Sequence, residues 1–230
     1  MKYFLALLAG AILGVTIFAA GVYFNPFSEQ PAVSPFALSD VDQMDFTFPA
    51  VPAEAILYTD HGESIVSTHP ARVAEMWEPT VTDTRIVVTQ LENARGEFVA
   101  LGIKFSSKSE ETALIESRAL VNSAWHIYVP GRGTLLVDQV ENYWSYLRDI
   151  VIPARWSSGD SWKGSFFRIM TQGPGALGTG RVSGGSGEFA GMSSEAVESL
   201  RARAYSAALG PVSMDGNLTI TLPASVSEDD

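Results

Sequence analysis

TRIVVTQL (Thr84–Leu91) followed by EFVALGIKF (Glu97–Phe105) decides the fold class. The first segment is rich in β-branched residues, which suit a pleated, half-buried surface. The second alternates Phe98, Ala100 and Gly102 against Val99, Leu101 and Ile103, the period of two expected for a strand. Asn93-Ala94-Arg95-Gly96 between them has the composition of a turn, so the pair predicts a β-hairpin.

Similar signals recur on the carboxyl-terminal side. WHIYV (Trp125–Val129), TLLV (Thr134–Val137), SFFRIM (Ser165–Met170) and NLTITL (Asn217–Leu222) read as short strands, most of them bounded by Gly or Pro. Many short strands with turn signals predict a mainly β domain, an antiparallel β-barrel with one or two short helices. Asp138–Ile152 reads as the main helix, because Val140, Tyr143, Trp144, Leu147, Ile150 and Val151 recur at spacings of three and four. Asp138 and Glu141 fit a cap at its start, and Pro153 fits its end. A shorter helix is expected over His69–Trp77, and Glu195–Tyr205 fits neither period.

At the amino end, Lys2 is followed by an apolar run from Tyr3 to Phe24 without a charge. About twenty such residues cross a hydrocarbon core of roughly 30 Å. A cleaved signal peptide has a shorter apolar part, and Ala19-Ala20-Gly21 is a poor cleavage site, so length favours an uncleaved transmembrane anchor over 1–26. Tyr23, Phe24 and Phe27 suit the interface at its far edge, where the first charges are Glu29, Asp40, Asp42 and Asp45. Lys2 stays inside by the positive-inside rule. The expectation is a single-pass protein of a bacterial inner membrane, held in the lipid bilayer by residues 3–24, with its domain in the periplasm. Prolines 26, 31, 35, 49 and 52 mark 27–52 as an acidic tether. The domain is then 53–223, and 224–230 is an acidic tail.

The net charge of −11 repels phosphate backbones, so nucleic acid is not expected as a partner. An anionic membrane should also repel the domain unless something holds it there. The absence of cysteine removes disulfides, thiolate metal sites and thiol nucleophiles. His61, His69 and His126 form no metal motif, and neither a metal nor a cofactor is expected.

Ala176–Gly191 (ALGTGRVSGGSGEFAG) holds six glycines. It has no Walker lysine and no dinucleotide spacing, so a sharply twisted hairpin with some φ > 0 is expected there, not a phosphate cradle. Gly178-Thr179-Gly180, Gly184-Gly185, Gly187 and Gly191 resemble the GGTGxFxGAxGxxxG hairpin of allene oxide cyclase-like and dirigent-like barrels, and Gly216–Leu222 resembles their closing strand. The resemblance covers about forty residues. It implies an eight-stranded antiparallel barrel, some of whose members bind or cyclise hydrophobic small molecules. An anchor and a helix at 138–152 depart from the family pattern, and no catalytic residue of the family maps onto this chain.

The residues that carry chemistry are scattered. Gly184-Gly185-Ser186-Gly187-Glu188 fails as a nucleophile elbow at its last position, and Asp60-His61-Gly62-Glu63 reads as a turn. His126 should face away from Trp125 and Ile127, as a hydrogen-bonded barrel histidine or as an acid/base with Glu141. Between Trp144 and Arg168, aromatic residues alternate with arginines, which suits a partly apolar, partly anionic ligand or a partner protein. The bland alternative puts the aromatics in the core and the arginines outside. The candidate ligand-binding set is Trp125, His126, Tyr128, Trp144, Arg148, Trp156, Trp162 and Arg168.

Three functions follow. The leading one is a non-catalytic, membrane-tethered barrel that binds a small hydrophobic ligand or an envelope protein. The others are a cyclase- or isomerase-type barrel enzyme, and a structural subunit of a membrane complex. The interior decides among them, since binding needs an apolar pocket and catalysis a titratable group beside it.

Overall fold

A computed structural model describes residues 2–24, 43–48, 56–60, 63–64, 73–78, 84–158, 161–207 and 210–222. The predicted hairpin is present as β5 (Thr84–Glu92) and β6 (Phe98–Lys108), with Leu91 opposite Ala100. Its turn is closed by Asn93, whose Oδ1 accepts from the amides of Arg95 and Glu97 at 2.9 and 3.1 Å. This local closure fixes the register, because a slip of one residue would send the buried Ala100 face into water.

The other strands build an eight-position antiparallel barrel on this hairpin. β7 (Leu120–Val129) and β8 (Gly133–Asn142) continue from β6. The position beyond β8 is shared by two strands, β9 (Trp162–Gly173) and β10 (Gly180–Gly187), each pairing with β8 and with β11 (Ser193–Ser206). β12 (Gly210–Thr221) follows, then β1 (Gln43–Phe48), which returns to β5 where Thr47 meets Glu92. Outside this ring β4 (Val73–Glu78) pairs antiparallel with β5 and parallel with β2 (Ile56–Asp60), and β2 forms a hairpin with β3 (Glu63–Ser64). Phe46, Leu91, Trp125, Ile127, Leu135, Ile169, Leu218 and Ile220 fill the interior.

Three expectations change. The helix foreseen at 138–152 begins only at Trp144. Asp138–Asn142 completes β8, with Gln139 and Glu141 buried and Asp138 exposed, so Glu141 caps nothing. Helical spacing and strand alternation overlap here, and pairing with β7 wins. From α2 (Trp144–Tyr146) the segment continues with wider, π-type hydrogen bonding over Leu147–Val151 and Ala154–Ser158. Val73–Trp77 is strand, not helix, because β5 offers it an edge; His69 lies outside the described residues. Gln43–Phe48, inside the expected tether, is a barrel strand whose Phe46 and Phe48 are buried. Residues 49–55 and 223–230 lie outside the described residues. Glu195–Tyr205 belongs to β11, its pattern blurred by register shifts near Ala202 and Ala204.

The glycine-rich segment is a hairpin between barrel strands, with positive φ at Gly178, Gly187 and Gly191. At Gly184 the demand is steric, since a Cβ there would lie 1.5 Å from the Phe189 carbonyl oxygen. α1 (Lys2–Tyr23) is an uninterrupted apolar helix with no buried residue. Its 22 residues rise about 33 Å, long and apolar enough to cross a bilayer.

Candidate functional site

The inner face of β6 carries Ala100, Gly102 and then Lys104, which is 6% exposed. A buried ammonium must be paired, and two carboxylates meet it. Glu198 of β11 accepts from Lys104 Nζ at 2.8 and 2.9 Å, and Glu141 of β8 makes a short contact with the same nitrogen. Gln139 bridges the two acids through its Nε2, and its Oε1 accepts from Thr171 Oγ1 at 2.9 Å. Trp125 Nε1 donates to Glu198 at 3.0 Å, and Tyr143 Oη donates to Glu141 at 3.2 Å. Small residues on β6 leave room for this: a Cβ on Gly102 would lie 2.7 Å from the Trp125 ring.

Lys104 stands between the two acids, and Arg85 is a second cation whose charge acts on Glu141. Burial raises the Glu141 pKa, Lys104 opposes and Glu198 adds to the rise, and the result is about 8. Burial also acts against Glu198, but Lys104 and the hydrogen bonds from Glu141, Lys104 and Trp125 prevail, leaving it below the ordinary value. Lys104 is opposed by burial and raised by both acids, with a net rise. Near neutral pH the cluster is therefore a Lys104–Glu198 ion pair beside a protonated Glu141. Burial likewise holds the Tyr143 phenol protonated well above its usual range.

Two spaces adjoin this cluster. A cavity of about 50 Å³ inside the barrel touches Lys104, Trp125, Tyr143 and Arg85, and has room for one or two waters. A cleft of about 470 Å³ lies at the barrel end between α2 and the β6–β7 connection. Leu114, Ala119, Leu120, Tyr146, Leu147 and Val151 make its wall largely apolar, with Arg155 and Tyr205 at one side. Its size is that of a small-molecule site. Tyr143, which donates to Glu141, borders both spaces. A larger depression of about 700 Å³, bordered by Lys108, Glu110, Glu111 and Arg118, carries both signs of charge.

Only part of the sequence-derived set converges. Trp125 joins the cluster, as does Glu141. His126 and Tyr128 are exposed on the outside of β7, so His126 is neither a buried histidine nor near Glu141. Trp144 is buried, Trp162 packs at the edge of the barrel core, and Arg148 pairs with Asp149 at 2.6 Å. Arg168 and Trp156 face solvent. Lys104, Glu198 and Tyr143 were not in the set. A lysine in GIKF reads as a solvent-side residue, and its shared face with Ala100 and Gly102 is the signal that places it inside.

No protein-family model matches the sequence, and no curated protein matches it. Solved structures similar in shape include the following two. One is a Diels–Alderase from Streptomyces koyangensis, with 10% identity and a TM-score of 0.40 over 82% of this chain and 72% of that one. The other is described as a nonspecific heme-binding cyclase of neoabyssomicin biosynthesis, with 9% identity and a TM-score of 0.41 over 90% and 80%. Likeness at this level brings no activity to the present chain.

Proposed function

We propose that this protein is a membrane-tethered barrel, on the periplasmic side of a bacterial inner membrane, that binds a small, largely apolar molecule in the cleft beside α2. The observation that carries this reading is the apolar wall of that 470 Å³ space. Ala119 is buried on the wall, so Ala119→Trp fills the space from within. Full-length protein in phosphatidylcholine nanodiscs should bind the neutral dye N-phenyl-1-naphthylamine saturably, and A119W should abolish this while keeping a cooperative melt. Saturable binding unchanged in A119W would remove the cleft as the site.

A second reading, an isomerase- or cyclase-type enzyme, is favoured by one contact, Tyr143 Oη on the carboxyl of Glu141. A group titrating near neutrality is poised to give and take protons, and the Glu141 value of about 8 fits that use. Such an enzyme would exchange the α-protons of a bound small ketone with deuterium from D₂O, and both E141Q and Y143F would stop it. Exchange equal in wild type and E141Q would rule the enzymatic reading out.

A further inference from the structure

The cleft does not open at an arbitrary place. The β6–β7 connection and the segment from α2 to Ser158 both lie at the same barrel end, where β8 finishes and β9 begins. α1 comes to this end too: it packs beside Leu114–Glu116, and Tyr23 near its terminus lies close enough to Arg148 to act on its charge. The helix able to cross a bilayer therefore delivers the bilayer surface to the side of the barrel that carries the cleft.

That side sets exposed apolar residues beside basic ones. Leu114, Ile115 and Trp156 are exposed there, Trp156 at 86%. Arg155 is tied by its Nε to Tyr205 Oη at 3.0 Å, so it stands at the cleft rim beside Trp156. Lys163 is exposed opposite Ala204, and Arg201 lies over the exposed Phe167 ring at 5.5 Å. Asp149 pairs with Arg148, Glu116 with Arg118, and Asp215 with both Arg201 and Arg203, while Glu110 and Glu111 are exposed on the β6–β7 connection beside Lys108. In a chain of net charge −11 this is a local excess of cations set among apolar side chains. Tryptophan and long basic residues together suit the headgroup layer, where apolar bodies insert and charges meet anionic lipid.

We propose that the barrel is seated on the bilayer by this end, and that the cleft takes up a molecule dissolved in the lipid. Leu114, Ile115 and Trp156 enter the interface, and Arg155 and Lys163 meet anionic headgroups. The ligand class is then a membrane-partitioned apolar molecule, which passes from the hydrocarbon to the Leu114 lip of the cleft without crossing water. The uptake part rests on the reading of the cleft as the binding site; the seating part does not.

The test uses full-length protein in nanodiscs containing phosphatidylglycerol and dibrominated phosphatidylcholine. The Trp156 fluorescence, taken as wild type minus W156F, should be strongly quenched by the brominated lipid. Quenching should be lost in the triple variant I115D/K163E/F167D, none of whose residues lines the cleft. Each cation removed should lower the affinity of the face for the anionic surface about fivefold. Dye predissolved in the lipid should reach the cleft more slowly in the triple variant than in wild type. An unquenched Trp156 signal overturns the seating. Quenching lost with dye uptake unchanged overturns uptake from the lipid. In A119W, quenching should persist while dye binding disappears, and dye binding that persists there fails the cleft reading alone.

Discussion

Lys104 faces two carboxylates, and the proton that burial keeps on Glu141 ties the fold to pH. Glu141 is raised to about 8 in the folded protein, against 4.5 for the free side chain. Its contribution is therefore complete below pH 4.5 and is lost as pH rises toward 8. Glu198 is shifted down, so its contribution is present above pH 4.5 and is lost in acid. The raised Lys104 weakens the fold only above its ordinary 10.5. The melting temperature should fall between pH 5 and pH 9, and Glu141→Gln should flatten that fall, as followed by circular dichroism across the range. An equal slope in wild type and E141Q would mean that Glu141 is ionised throughout. The sequence hides this cluster for a physical reason. Its charged members lie on three strands, β6, β8 and β11, far apart in the chain, and each alone looks like a solvated charge. Only alternation exposes them: Lys104 shares a face with Ala100, and Glu198 shares one with Ala196, Leu200 and Ala202.

Elements were legible where one period dominated. The hairpin β5–β6 is an example, with a β-branched strand, a turn closed by Asn93 and an alternating strand, all local and mutually consistent. Asp138–Ile152 misled because Val140, Tyr143 and Trp144 satisfy a helical stripe while Leu135, Val137, Gln139 and Glu141 satisfy a strand; the pairing with β7 that decides the matter is not a local signal. The glycine-rich hairpin was legible in kind, and the structure separates two uses of glycine. Gly184 sits under the Phe189 carbonyl with no room for a Cβ, so Gly184→Ala requires the backbone to move. Gly191 has φ +75° but open space around it, so Gly191→Ala meets only conformational strain, about 1 kcal/mol. Thermal melts should rank G184A as clearly more destabilising than G191A. The reverse order, or two unchanged melts, would show that the β10–β11 turn is not held as described. Phosphate compounds should raise neither melt, because the amides of Gly184 and Met192 lie in hydrogen bonds to Met192 and Phe189 and are not available to cradle an anion.

At the scale of the whole molecule, an apolar helix and a barrel with net acidic charge have to share one surface. The helix was plain in the sequence as an uncharged run of the right length, whereas the basic and aromatic barrel end was only half visible, as arginines interleaved with aromatics between Trp144 and Arg168. Those residues divide by position: Trp144 and Tyr146 go into the core, and Trp156, Phe167 and Arg168 go outside. If α1 is retained, two consequences follow for the intact chain. Its mass should include the residues from Lys2 onward, and it should stay with membranes after an alkaline carbonate wash, because some twenty apolar residues in hydrocarbon are not released by loss of electrostatic attraction. A chain cleaved after Ala19-Ala20-Gly21 would begin near Val22 and wash off with salt, since the barrel end alone would then hold it through charges that 1 M salt screens to about 3 Å. Intact mass and the wash therefore report on the helix separately from the barrel face. A soluble product of reduced mass would overturn the anchor while leaving the barrel end free to bind anionic vesicles in low salt.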